Sequence, residues 1–148
     1  MTGQYLEDFA VGQRFSTGRH IVDTVQIRSF AAEFDPQPFH LDEAAAAKSI
    51  FRGLAASGWH TAAIAMQLMV RGEFSPAGGI VGLGLEEMQW PKPVRPGDEL
   101  HVVTEILEVR PSASKPNQGL LKVRNTTFNQ KGEAVLSQTV NLLALRRS

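Results

Sequence analysis

The run from Trp59 to Arg71 sets the tightest limit on the fold. It reads Trp-His-Thr-Ala-Ala-Ile-Ala-Met-Gln-Leu-Met-Val-Arg, with apolar residues around most of a helical circumference. A surface helix carries one apolar stripe, so a helix of this kind is expected to be enclosed on several sides. Small residues at Ala62, Ala63 and Ala65 allow a neighbouring backbone to come close. After Gly78-Gly79 the pattern turns to strands: Ile80 to Trp90, Glu99 to Val109, Leu120 to Asn129 and Ala134 to Leu145. Turn residues separate them, Arg95-Pro96-Gly97-Asp98 before the second and Gln130-Lys131-Gly132-Glu133 within the last pair. A further strand is expected over Arg14 to Val22. Strands segregated after an enclosed helix predict an α+β fold, an antiparallel sheet wrapped around a central, largely buried helix.

The rest of the composition narrows the function classes. A chain of 148 residues fits one domain, 1–148, with a sizeable core. Lys plus Arg and Asp plus Glu number 15 each, so no positive field exists to hold a nucleic acid or an anionic membrane. The absence of cysteine removes disulfides, thiolate nucleophiles and Cys-based zinc sites. The start, Met1 to Asp8, shows no basic segment followed by an apolar one, and Ala62 to Val70 is too short to span a bilayer. These features predict a soluble cytoplasmic protein.

The chemistry-bearing segment lies earlier. Ile27, Phe30, Ala31 and Phe34 recur at helical spacing and predict a helix over Val25–Phe34, capped by Thr24 or Asp23. Pro36 forces Asp35 out of helical angles and Pro38 does the same to Gln37, which predicts a stiff non-helical bend from Asp35 to Phe39. Asp42 then caps a short alanine-rich helix that reaches Lys48. The bend separates Asp35 from His40 by five residues and can present a carboxylate and an imidazole on one side at low entropic cost. Gly58 stands where the enclosed helix begins, at backbone N–H groups that lack helical partners. Each also has a plainer reading: Asp35 as a turn acceptor, His40 as a satisfied buried histidine.

Other residues carry less. Asp42 is explained as a cap, His60 as packing, and His20 and His101 as strand residues. His40, Asp42 and His60 match no standard metal-ligand spacing, so no metal is expected. Gly82-Leu-Gly84 lacks the third glycine of a dinucleotide fingerprint. The two glycines leave a groove open or permit close packing, the simpler reading. No spacing selects among Lys92, Arg95 and Arg124 as partners for phosphates.

The segment Phe30-Ala-Ala-Glu-Phe-Asp-Pro-Gln-Pro-Phe-His-Leu-Asp-Glu43 resembles the signature of MaoC-like dehydratases and (R)-specific enoyl-CoA hydratases. The likeness continues through Phe51 and Leu54-Ala-Ala-Ser-Gly58 and returns at Pro93-Val-Arg-Pro-Gly-Asp98. Phe34 stands where the family commonly has glycine, and Ser57 where it usually has histidine. A serine found further along the helix in some hydratases is replaced in the neighbourhood of Ala63 to Met66. The resemblance implies a hotdog fold, a homodimer or higher homo-oligomer, and Asp35, His40 and Gly58 as catalytic residues. It further implies reversible hydration of a trans-2-enoyl-CoA to an (R)-3-hydroxyacyl-CoA, with the thioester carried by coenzyme A or an acyl carrier and no added cofactor. Hydration needs a base for water, an acid for the α carbon, and a donor for the developing enolate oxygen. One oxyanion donor at Gly58 would supply roughly 2.7–4 kcal/mol. Two alternatives stay open: a hotdog acyl-CoA thioesterase, against which stands the lack of any acidic residue from Gly58 to Gly72, and a non-catalytic acyl-CoA-binding homologue.

Overall fold

The computed structural model describes residues 2–147. After a 3-10 turn at Leu6–Asp8 come two short strands, β1 (Arg14–Ser16) and β2 (His20–Ile21). Helices α1 (Thr24–Phe34), α2 (Pro38–Leu41), α3 (Glu43–Ala47) and α4 (Gly58–Val70) follow. Strands β3 (Val81–Gln89), β4 (Glu99–Pro111), β5 (Gln118–Phe128) and β6 (Ala134–Leu145) complete the chain. The strands form one antiparallel sheet in the order β1-β4-β5-β6-β3, with β2 also on β4.

Alternation in β4 explains how the sheet covers the helix. Leu100, Val102, Thr104 and Ile106 are buried while the residues between them are half-exposed, the period-2 pattern of a strand with one packed face. Leu121 and Val123 of β5 and Leu142 and Ala144 of β6 extend that face, and Ile64, Ala65, Leu68 and Met69 of α4 fill the same core. The α+β architecture expected from the sequence, a sheet around a central helix, is the one observed. No helix among the described residues is long and apolar enough to cross a membrane.

Three local expectations are corrected. The strand expected over Arg14 to Val22 is broken, because Thr17 turns its hydroxyl onto the Gly18 carbonyl (2.8 Å) and accepts the Val102 N–H (2.9 Å). A side-chain oxygen there replaces a ladder carbonyl. The bend expected over Asp35 to Phe39 ends at Gln37, whose ψ of 146° is extended; Pro38 opens a helical turn, since proline is well suited to the first helical position. The helix expected to be enclosed is covered on one side only. Trp59, Met66 and Val70 are exposed along it, and the reason is that the sheet of one chain curls over just part of its circumference.

The capping expectations hold: Asp23 accepts from Gln26 N–H (2.8 Å) and Asp42 from Ala45 N–H (3.0 Å). Gly82 and Gly84 have nothing within 4 Å of where a Cβ would stand, so close packing is not their purpose within the chain. In β3, register shifts fall beside them.

His60 packs as expected. Its ring stacks on Phe30 of α1, with centroids 4.7 Å apart and planes 7° from parallel, and its Nδ1 has no hydrogen-bond partner. Burial, and then the nearby His20, hold its pKa below the ordinary value of 6.5. The unfolded chain therefore binds a proton at this residue that the folded chain resists. The stability that neutral His60 contributes is full above 6.5 and is lost as pH falls below it. His101 acts in the same direction, lowered by burial and by Arg19 against an opposing Glu99. Thermal unfolding should thus show Tm falling between about pH 7 and about pH 5. In His60→Phe the fall should be shallower; an identical slope in wild type and variant would show that this ring is not responsible.

Candidate active site

The end of α1 begins the site. Asp35 follows its last residue, still donating its N–H to the Ala31 carbonyl (2.9 Å), and Pro36 prevents a further turn. The chain reverses within three residues: Gln37 N–H donates to Asp35 O (2.7 Å) and His40 N–H to Gln37 O (3.0 Å). Helix α2 is thereby folded back beside the end of α1. This brings Asp35 Oδ2 to 3.3 Å from His40 Nε2, with the imidazole buried and the carboxylate mostly so.

The other face of the ring is fixed. His40 Nδ1 lies 2.6 Å from the Ala55 carbonyl. A carbonyl only accepts, so Nδ1 carries the hydrogen and Nε2 is the nitrogen left facing Asp35. Gln37 Nε2 donates to Asp35 Oδ1 at 2.6 Å. Burial raises the Asp35 pKa, but hydrogen bonds from Gln37 and Ser57 and the charge of His40 together outweigh it, and the carboxyl sits below its ordinary value. The pair is thus a carboxylate held in its ionised form facing the imidazole Nε2.

Gly58 completes the arrangement. It is the first residue of α4, and Ser57 caps that helix by accepting the Trp59 N–H (3.3 Å). At this position the Gly58 N–H has no intrahelical acceptor. Asp35, His40 and Gly58 all line one cavity of about 430 Å³, with Phe39, Phe51, Trp59 and Trp90 in its walls. The need for glycine at 58 has a local cause. A Cβ there would stand 2.7 Å from the Trp90 ring, because the indole fills the space beside it.

The remaining candidates are elsewhere. Asp42 serves as the cap of α3, and His60 lies against α1. Lys92 reaches the cavity rim but is paired with Glu133, and Arg124 lies 3.5 Å from Glu105 on the sheet. Arg95 points into the protein. Its guanidinium donates to the carbonyls of Phe51, Gly53 (2.8 Å) and Leu54 (3.3 Å), the segment leading to Ala55. Among the described residues no group of three or more His, Asp or Glu could hold a metal ion. Sequence reasoning missed Gln37, Trp90, Arg95 and the Ala55 carbonyl. Gln37 alone left a signal, a polar side chain locked between two prolines.

Comparison with known proteins places the chain in a family. Residues 8–127 match the model of the MaoC like domain. A Bacillus subtilis protein, YdeM, itself uncharacterised, is 38% identical over 95% of this chain and 99% of its own. The crystal structure of the MaoC-like dehydratase from Rhodospirillum rubrum superposes with a TM-score of 0.96 at 53% identity, covering 99% of each chain. The (R)-hydratase PhaJ1 from Pseudomonas aeruginosa gives a TM-score of 0.74 at 27% identity, over 97% of this chain and 86% of that one. The sheet around α4 is accordingly a hotdog fold, and the chain belongs to the MaoC-like domain family of hydratases and dehydratases.

Proposed function

We propose that this protein reversibly hydrates a trans-2-enoyl thioester to the (R)-3-hydroxyacyl thioester, with Asp35 and His40 as the acid–base pair and Gly58 as the oxyanion donor. The observation that carries this reading is the 3.3 Å approach of Asp35 Oδ2 to His40 Nε2 in a cavity that Gly58 also lines. Water between the pair and the substrate gives a proton to Nε2 as its oxygen adds to the β carbon. The imidazolium so formed is stabilised by ionised Asp35, while the Ala55 carbonyl keeps the ring oriented. Electron density moves onto the thioester oxygen, which takes the Gly58 N–H. The α carbon then receives the proton from Nε2 and the pair returns to its starting state. Dehydration runs the same steps in reverse.

Coenzyme A or an acyl carrier bears the thioester, and no further cofactor enters the balance. The assembly we propose is a homodimer at least. Val81, Leu83 and Leu85 of β3 are exposed, as are Trp59, Met66 and Val70 of α4. Among the described residues β3 pairs with β6 alone, so its outer edge is open. An open strand edge bearing exposed apolar residues suits joining of two sheets edge to edge.

Crotonyl-CoA should lose its conjugated-enoyl absorbance without releasing free thiol; thiol release in its place would identify a thioesterase. Asp35→Asn and His40→Ala should each lower turnover roughly a hundredfold or more with acyl-CoA binding retained. Wild type that binds acyl-CoA yet turns over no chain length would mark a binding protein. Sedimentation should give at least twice the chain mass of 16.2 kDa, and a stable monomer would contradict the edge-to-edge assembly.

A further inference from the structure

Both tryptophans of the chain, Trp59 and Trp90, line the cavity, and they play unequal parts. Trp90 follows the end of β3. Its indole N–H donates to the Gly58 carbonyl at 3.0 Å. Ring atoms Cε2 and Nε1 stand 2.7 Å and 2.8 Å from where a Gly58 Cβ would be. The indole therefore occupies the place of a side chain at residue 58. Trp59 meets it edge-on, with centroids 5.5 Å apart and planes at 81°. Hydrogen bond, contact and buttress together make a fixed wall rather than a swinging one.

We infer that Trp90 is a specificity-determining residue, a wall beside the oxyanion donor that limits the size of the acyl group. The inference rests on the enoyl-thioester reading for its reacting geometry. A thioester carbonyl accepting from the Gly58 N–H would sit in the cavity that the indole also lines, and on this proposal the acyl chain runs past that ring. Phe39 and Phe51, with ring centroids 5.0 Å apart, line the same cavity and add to its apolar wall. A hydrophobic wall of this kind discriminates through size, and one methylene at such a wall is worth on the order of tenfold in selectivity.

The test compares wild type, Trp90→Phe and Trp90→Ala on crotonyl-, hexenoyl- and octenoyl-CoA. In Trp90→Ala the ratio of kcat/KM for octenoyl-CoA to that for crotonyl-CoA should rise at least about tenfold, with Trp90→Phe between the two. Calorimetric Kd values for butyryl-CoA and octanoyl-CoA, which cannot be hydrated, should shift in the same sense. A parallel change across all chain lengths in both measurements would overturn the assignment. If wild type hydrates none of the panel, the enoyl reading falls, and the Kd ratio alone decides whether Trp90 is the wall. Folding is controlled by a double-mutant cycle: Gly58→Ala should lower Tm, and less so in the Trp90→Ala background, because the clash is then gone. Equal losses of Tm in both backgrounds would remove the contact on which the proposal stands.

Discussion

The hydrogen bond from His40 Nδ1 to the Ala55 carbonyl joins the two parts of the site. On one side of it lies the reversal that brings α2 back beside α1; on the other lies the strap from Phe51 to Ser57 that leads into α4. The strap is tied at several further points. Ala55 N–H donates to Phe39 O (3.3 Å) and Ala56 N–H to Val94 O (2.9 Å), while Arg95 takes three carbonyls upstream. Arg95 is itself held through its backbone N–H by Asp98, whose other oxygen accepts from Gln130. The imidazole's orientation therefore depends on a chain of backbone and side-chain bonds that ends at the hairpin after β5. A ring restrained at one nitrogen in this way has its other nitrogen committed to a single direction.

How much of this was legible in the residues depended on whether the cause was local. The caps at Asp23 and Asp42, the strand alternation and the hairpin at Gln130–Glu133 each arise from a few neighbouring side chains, and each was readable. Asp35, His40 and Gly58 were also readable, because two prolines and a helix start mark them within a short span. Their convergence on one cavity was not a local matter. Trp90 and Arg95 were missed for that reason: Trp90 is thirty-two residues from the carbonyl it binds, and Arg95 more than forty from those it clamps. A cation turned inward onto carbonyls looks, in sequence, like any solvated surface arginine. Thr17 broke its strand through a hydroxyl whose partner is eighty-five residues away, which no periodicity could reveal.

Family membership and local chemistry answer different questions here. The match over residues 8–127 and the close superposition on the Rhodospirillum rubrum protein establish the hotdog scaffold and the MaoC-like family. They leave the choice of substrate to the residues around Asp35 and His40. Those residues are this chain's own: Ser57 both caps α4 and lowers the Asp35 pKa, Gln37 grips the second carboxylate oxygen, and aromatic rings close the cavity. A fold shared by many proteins supplies the frame, and side chains at its openings set the task.

The bulged outer strand has an implication for the life of the newly made chain. The outer edge of β3 carries a row of amide and carbonyl groups that offers a template to any extended segment that drifts near, with leucines and valine alongside to hold it. Irregular register at Gly82–Gly84 and Leu85–Glu87 bends that template and makes it a poor match for flat, generic strands. Selectivity against promiscuous stacking is thus written into the same stretch that leaves the surface greasy, and glycines with no packing duty find their use there.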